Sequence, residues 1–127
     1  MTAKQAASRR PDAEALRDLA VAALHDLKGL DVTVIDARGA SALTDFVVVV
    51  TGTSDRHLRA LAGSVQRQAK EAGVVPLGTE GETAGEWVLV DLRDVVVHVM
   101  LPRTRAFYQL EKLWGVATPL TVGVGGG

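Results

Sequence analysis

Apolar residues recur at helical spacing in three stretches of the chain. The first stripe follows Pro11-Asp12 and ends before Gly29; its members are Leu16, Leu19, Ala20, Ala23, Leu24 and Leu27. The second begins at Ser54 or Asp55, either of which can cap a helix, ends at Gly73, and comprises Leu58, Leu61, Ala62, Val65 and Ala69. In the third, after Pro102, the residues sharing one helix face are Phe107, Leu110, Leu113 and Trp114. The spacing therefore predicts three amphipathic helices.

The other apolar segments are short, as strands are. They cover residues 32–36, 46–50, 74–79, 87–90 and 95–101. The unbroken apolar run 46–50 predicts a buried strand. Pro76 weakens the prediction of a strand over 74–79. The segments 87–90 and 95–101 together predict a hairpin. In chain order the elements are α-β-β-α-β-β-β-α, so we predict an α/β fold: one domain with a mixed five-stranded sheet flanked by helices.

The two ends of the chain depart from this pattern. Residues 1–11 are polar, and residues 116–127 end in Gly123-Val124-Gly125-Gly126-Gly127. We expect a disordered leader over 1–11, a folded domain over 12–115 and a disordered glycine-rich tail over 116–127. The total of 127 residues suits a single domain.

Composition narrows the classes of function. Cysteine is absent, which excludes disulfides and thiolate metal sites and fits a reducing cytoplasm. No apolar run approaches the roughly 20 residues of a membrane span, so we expect a cytoplasmic protein with no membrane partner. With 14 basic and 15 acidic residues the net charge is −1, which favours a protein or small-ligand partner over naked nucleic acid. A local basic patch around Arg56, Arg59 and Arg67 stays open.

A glycine-containing turn is the best candidate for a phosphate site. Thr51-Gly52-Thr53-Ser54 leaves a predicted strand and enters a helix, whose N-terminal N–H groups attract anions. The placement is similar to the Gly-Ser turn of nucleotidyltransferases, but those enzymes also need paired carboxylates at alternate strand positions to hold metal ions. No such pair follows Ser54, so a capped turn is the stronger interpretation.

The remaining polar candidates give no positive argument for an enzyme, a metal or a cofactor. Asp91 and Asp94 lie three apart in the predicted hairpin, where Asp is a normal turn residue. His98 follows in an apolar strand, a position more typical of a hydrogen-bonded core histidine than of a metal ligand. His25 and His57 have no second ligand at i+4, and the sequence contains no Gly-x-Ser-x-Gly, His-Glu-x-x-His, Walker or dinucleotide-binding fingerprint.

The aromatic residues are concentrated near the C-terminus. Three of the five in the chain lie within residues 105–114. Tyr and Trp are enriched in the hot spots of protein interfaces, so this stretch is typical of a recognition surface. The alternative is a helix that simply docks on the sheet, which explains the Phe/Leu/Trp face but explains Tyr108 and Glu111 less well.

Three ordered segments of the chain resemble one protein family. They are Leu43-Thr44-Asp45-Phe46 leading to Thr51-Gly52-Thr53-Ser54-Asp55-Arg56-His57; Glu80-Gly81 followed by Glu86-Trp87-Val88-Leu89-Val90-Asp91 and Asp94-Val95-Val96-Val97-His98-Val99; and Arg105-x-Phe107-Tyr108-x-Leu110-Glu111-x-Leu113-Trp114. Their order and spacing, over residues 12 to 115, resemble the ribosomal silencing factor family, also called RsfS or Iojap.

The resemblance implies a nucleotidyltransferase-like fold that lacks the catalytic carboxylates, and a function that is steric rather than enzymatic. Members of the family bind the large ribosomal subunit at its intersubunit face, through ribosomal protein L fourteen. They thereby block joining of the small subunit and repress translation when nutrients are scarce. Organellar relatives act in large-subunit assembly. No cofactor, metal or sequence-specific nucleic acid is implied.

Carried over by position, the family's contact surface falls on Trp87, Tyr108, Leu110 and Glu111, with Gln109 between them. Relatives often carry Asp or Glu at position 109, so Gln109 removes one charge and should weaken electrostatic steering. Two readings stay open besides the silencing factor: a large-subunit assembly factor and a nucleotide-binding enzyme of nucleotidyltransferase type. An exposed aromatic patch also favours a homodimer off the ribosome.

Arg93 is a second departure from the family's pattern, because many relatives have glycine at that position. It puts the geometry of the predicted turn between the two hairpin strands in question, without affecting the expected function.

Overall fold

The computed structural model describes residues 11–40, 42–81, 85–109 and 119–121. The helices in this part of the chain are α1 (Ala13–Asp26), α2 (Asp55–Glu71) and α3 (Pro102–Tyr108). The strands are β1 (Leu30–Asp36), β2 (Phe46–Thr51), β3 (Gly78–Glu80), β4 (Trp87–Asp91), β5 (Val95–Met100) and β6 (Pro119–Thr121). No helix among the described residues is both long enough and apolar enough to cross a membrane.

The strands form one mixed sheet in the order β3-β4-β5-β2-β1-β6. Strands β2 and β5 run parallel, and the other neighbouring pairs are antiparallel. Because successive strand residues point to opposite faces, the even positions of β2 and the odd positions of β5 point to one face, where α1 and α2 cover them. This helix-covered face contains the main core.

The two long helices begin and end where the sequence provides caps. Ser54 Oγ accepts a hydrogen bond from the His57 N–H at 3.1 Å, which satisfies a donor in the first turn of α2. Gly73 follows the end of α2 with φ +91°, a conformation that glycine adopts readily. Ser64 Oγ donates to the Ala23 carbonyl at 3.0 Å, so this buried hydroxyl joins α2 to α1.

The opposite face of the sheet, which we call the open face, carries a smaller apolar cluster. Its buried members are Ile35, Ala37, Val47, Val49 and Met100. Trp87, at the start of β4, packs against this cluster and is only half-buried. The chain then enters α3 directly after β5, so α3 begins beside the end of β4 that carries Trp87.

The predicted α/β fold with a mixed sheet is confirmed, and three of its details are corrected. The first is a sixth strand: β6 lies in the segment expected to be a disordered tail and pairs antiparallel with β1. The edge of β1 offers unpaired main-chain groups, and the short extended segment 119–121 pairs with them. The predicted leader, except Pro11, lies outside the described residues.

The second correction concerns the third strand, which covers Gly78–Glu80 rather than 74–79. The Val74 N–H donates to the Ala69 carbonyl at 2.8 Å, so this residue terminates α2 and cannot begin a strand ladder. The third concerns the last helix, which ends at Tyr108 because Gln109 has φ 47° in the left-handed region. Leu110, Leu113 and Trp114 lie outside the described residues.

Candidate functional site

Three aromatic rings meet at one end of the open face. The Trp87 and Tyr108 ring centroids are 4.8 Å apart, and the Tyr108 ring meets Phe107 edge-on with centroids at 4.9 Å. Phe107 is 78% exposed and Tyr108 is 50% exposed. We call Trp87, Phe107 and Tyr108 the aromatic patch. It brings together residues from a strand and a helix that are far apart in sequence.

Arg105 fastens α3 to the sheet. Its Nη1 donates to the Asp31 main-chain carbonyl at 2.6 Å and to Thr51 Oγ1 at 3.0 Å, and its Nη2 donates to Thr33 Oγ1 at 2.8 Å. The guanidinium thus bridges β1 and β2 through three hydrogen bonds from two nitrogens, and a lysine, with one nitrogen, cannot reproduce that arrangement. Tyr108 lies on the next turn of the same helix, so its position follows from this anchor.

Gln109, another predicted site residue, lies at the end of α3. The Gln109 N–H donates to the Arg105 carbonyl at 2.9 Å and closes the helix, while Gln109 itself is exposed beside Tyr108. The structure therefore brings Trp87 and Tyr108 into contact, and Gln109 follows Tyr108 at the end of α3. Leu110 and Glu111, the other two predicted site residues, lie outside the described residues.

Two features of the site were not predicted from the sequence. The first is the exposure of Phe107: the sequence left open whether its helix face docks on the sheet, and the ring is exposed in the aromatic patch because α3 packs through Thr104 and Arg105. The second is a contact between Trp87 and His98. The pairing of the hairpin strands could have indicated this contact, because Trp87 lies opposite Met100 and His98 is then its diagonal neighbour on the same face.

The contact between Trp87 and His98 is a hydrogen bond. The Trp87 Nε1–H donates to His98 Nδ1 at 3.0 Å, and the two ring centroids are 5.8 Å apart. Burial lowers the pKa of His98 from 6.5 to about 4, because removal from water disfavours the charged imidazolium. The prediction that His98 is a hydrogen-bonded histidine within the sheet is confirmed.

The turn considered for phosphate binding uses its polar groups internally. The Gly52 N–H donates to the Met100 carbonyl at 2.9 Å, and the Thr53 N–H donates to His57 Nδ1 at 2.9 Å. A Cβ on Gly52 would lie 2.5 Å from a methyl group of Leu58, so the glycine permits close packing between the turn and α2. The prediction of a capped turn is confirmed, since Ser54 caps α2.

The aspartates of the hairpin turn also have structural partners. Asp91 Oδ1 accepts from the Arg93 N–H at 2.8 Å, and the Asp94 carbonyl accepts from the N–H groups of Asp45 and Phe46 at 2.9 and 3.0 Å. Arg93 has φ +74°, in the region that glycine prefers. Within the described ranges, no three His, Asp or Glu side chains are placed so that they could share a metal ion.

Comparisons with known proteins identify the family. Residues 10–123 match the model of the family described as ribosomal silencing factor during starvation. The ribosomal silencing factor RsfS of Chromobacterium violaceum is 52% identical over 101 residues, covering 80% of this chain and 83% of that protein. The mouse protein named mitochondrial assembly of ribosomal large subunit protein 1 is 36% identical over 100 residues, covering 76% of this chain and 44% of its own length.

A solved structure agrees with these matches. The crystal structure of a protein from Chromobacterium violaceum superimposes with a TM-score of 0.81 at 46% identity, covering 91% of this chain and 97% of that one. The fold described above is therefore the fold of experimentally determined relatives. On the family model and the identity to its members together, this chain belongs to the ribosomal silencing factor family.

Proposed function

We propose that this protein binds the large ribosomal subunit at its intersubunit face and sterically blocks joining of the small subunit, which represses translation when nutrients are limiting. The description of the matched family, silencing during starvation, supports the repression. The printed name of the mouse relative refers to the large subunit and so supports that subunit as the target. Such a role requires a protein-binding surface and places the protein in the cytoplasm.

The observation that carries the proposal is the aromatic patch. Two exposed rings, Phe107 and Tyr108, stand beside the half-buried Trp87, and all three are attached to regular elements rather than to a loose loop. Large rings left in water are unfavourable unless a partner covers them, and rigid aromatic anchors lose little entropy on binding. A protein partner explains this exposure directly.

The partner within the subunit is ribosomal protein L fourteen in this proposal, as the family resemblance implies. The contact residues are Trp87 and Tyr108 together with Gln109, Leu110 and Glu111. Glu111 would pair with a basic group of the ribosomal protein, whereas the uncharged Gln109 reduces electrostatic steering compared with an acid at that position. Exposed rings also support self-association when no ribosome is present.

The mechanism has no chemical step and uses no cofactor. Against an active nucleotidyltransferase, the N–H groups of Gly52 and Thr53 are already donated to Met100 and His57, so these two donors are not available to a phosphate. A large-subunit assembly factor is a second candidate, favoured by the printed name of the mouse relative. It predicts that deletion causes immature large particles to accumulate, which blocked subunit joining alone does not.

Co-sedimentation tests the proposal. Purified protein is mixed with isolated large subunits and run on a sucrose gradient, and small subunits are then added. We expect the protein to migrate with the large subunit and the joined particle to decrease. A Tyr108→Ala variant serves as the matched control for binding through the aromatic patch. Migration at the top of the gradient with normal joining would contradict the proposal.

A further inference from the structure

His98 lies next to the proposed contact surface without being part of it. Trp87 is held between two groups: its ring contacts Tyr108 on one side, and its Nε1–H donates to His98 Nδ1 on the other. An indole has one hydrogen-bond donor, and here that donor is used within the protein. Trp87 therefore offers a partner its hydrocarbon surface rather than a polar group.

We propose that His98 is a positioning residue that fixes the Trp87 indole in the orientation in which it packs against Tyr108 and meets the partner. The role follows from the strand pairing, because Leu89 and not Trp87 lies directly opposite His98. The indole must lean diagonally along the hairpin to reach His98 Nδ1. If the acceptor on His98 is removed, the hydrogen bond is lost and no longer favours this orientation over the other staggered rotamers of Trp87.

The acceptor role specifies the state of the imidazole. Nδ1 must keep its lone pair, so the ring is neutral and carries its proton on Nε2. The neutral state agrees with the low pKa that burial gives His98. Asp91 and Arg93 are the charged residues that line the same pocket of about 450 Å³ as His98 on the open face. Apolar side chains make up most of the remaining lining, among them Val47, Leu89 and Val96.

The hydrogen bond is tested first on the free protein, independently of the ribosome. In isotope-labelled protein near neutral pH, we expect a nitrogen–nitrogen scalar coupling between Trp87 Nε1 and His98 Nδ1. The chain has two tryptophans, so a Trp87→Phe variant assigns the indole signal by its loss. In His98→Leu we expect the Trp87–Tyr108 nuclear Overhauser contacts to weaken. Absence of the coupling, or unchanged contacts in His98→Leu, would overturn the proposal.

A double-mutant cycle then tests whether positioning affects binding. Large-subunit affinity is measured for wild type, Trp87→Phe, His98→Leu and the double variant. Removal of one hydrogen bond should weaken binding about five- to tenfold in His98→Leu. The same change should have little effect in the Trp87→Phe background, because the donor is already missing. Equal losses in both backgrounds would show that His98 does not act through the indole N–H.

Rescue distinguishes positioning from a general structural role. His98→Asn places an amide oxygen near the position of Nδ1 and should recover most of the binding lost in His98→Leu. It also provides a second variant if His98→Leu does not fold, and failure of a folded His98→Asn to recover the Trp87–Tyr108 contacts would contradict the proposal. The binding part of this inference rests on the proposed function, but the scalar coupling and ring contacts do not. If wild type itself fails to bind large subunits while the coupling is present, the proposed function fails and the positioning of Trp87 stands.

Discussion

Arg105 donates a hydrogen bond to the main-chain carbonyl of Asp31 at 2.6 Å, and this contact joins α3 to β1. Asp31 has φ 49° and lies where the register between β1 and β2 shifts, so the chain is irregular at this point. The same guanidinium reaches Thr33 and Thr51. The orientation of α3, and with it the aromatic patch, depends on this anchor.

Replacement of Arg105 by Lys should loosen that anchor. An ammonium keeps the charge but has one nitrogen where the guanidinium uses two, so it cannot keep all three hydrogen bonds, and we expect the free energy of unfolding to fall by about 1–3 kcal/mol. Urea denaturation measures this. Arg103→Lys is the matched control on the same helix: its ion pair with Glu86 is 3.9 Å long and exposed, so the change should be within about 0.5 kcal/mol. Equal losses in the two variants would contradict the anchoring role.

Truncation of the aromatic patch should weaken binding rather than folding. Trp87→Ala and Tyr108→Ala should each reduce the free energy of binding to the large subunit by more than about 1 kcal/mol, as hot-spot residues do. Val75→Ala removes an exposed apolar side chain outside the patch and should leave affinity unchanged. Affinity is measured by titration of labelled protein with isolated subunits. A folded Tyr108→Ala variant that binds like wild type would remove Tyr108 from the proposed surface.

A charge reversal at Glu111 should weaken the same complex through electrostatics. The proposal pairs this acid with a basic group of the ribosomal protein, so Glu111→Lys should slow association, and the difference should shrink as salt is added. Gln109→Glu is the complementary variant, because it restores a charge at a neighbouring position and should speed association. Stopped-flow measurements at two salt concentrations provide the test. Salt-independent effects would argue against an ionic contact.

The main elements were predictable because their signals are local. The apolar stripe, Ser54 and Gly73 together mark α2, and each signal acts within a few residues of the element it specifies. The unbroken run 46–50 likewise marks β2 as a strand buried on both faces. Periodicity and capping therefore accounted for the α/β class and for the core beneath α1 and α2.

The details that the sequence predicted wrongly or left open depend on partners distant in sequence. Strand β6 exists because the edge of β1 accepts it, and nothing within 119–121 encodes that pairing. Phe107 is exposed because Arg105, rather than Phe107, reaches the sheet. The end of α3 depends on Gln109 adopting φ 47°, which its residue type does not favour. The family resemblance, rather than periodicity, placed Trp87 in the site with Tyr108.

The close packing around Gly52 gives a prediction about stability at the turn Thr51-Gly52-Thr53-Ser54. A Cβ there would lie 2.5 Å from Leu58 and 3.3 Å from Leu61, so Gly52→Ala should destabilise the protein by about 1–3 kcal/mol through overpacking. Gly63→Ala is the control within α2, where nothing lies within 4 Å of the added methyl group. It should stabilise by about 0.5–1 kcal/mol. Thermal unfolding of both variants provides the measurement, and a neutral Gly52→Ala would contradict the packing role.

The backbone conformation of Arg93 predicts a substitution that raises stability instead of lowering it. Its φ of +74° is unfavourable for a residue with a Cβ, so Arg93→Gly should raise stability by up to about 1 kcal/mol. The hydrogen bond from position 93 to Asp91 uses the main-chain N–H and survives the change. Arg93→Val keeps a Cβ and adds branching, so it should destabilise. If the urea midpoint of Arg93→Gly is lower than that of the wild type, the turn does not hold its left-handed conformation in solution.

Burial of His98 makes stability depend on pH in a defined window. Its pKa is about 4 in the folded protein and 6.5 as the reference for the unfolded chain, so the unfolded state binds the proton more tightly. His98 is neutral in both states above about pH 7, and its contribution is then fully present. As pH falls from 6.5 to 4, the wild type should lose stability relative to His98→Asn, and the difference approaches about 3 kcal/mol near pH 4.

The measurement is the free energy of unfolding by urea at several pH values between 8 and 4, for wild type and for His98→Asn. Carboxylates titrate in both proteins, so only the difference between the two curves reports on His98. His25→Asn, at an exposed position on α1, controls for the loss of a histidine in itself. Curves for wild type and His98→Asn that run parallel through this window would mean that His98 is protonated as easily in the folded protein as in the unfolded chain. The Trp87 indole would then lose its acceptor at mildly acidic pH without unfolding, and the aromatic patch would loosen before the core does.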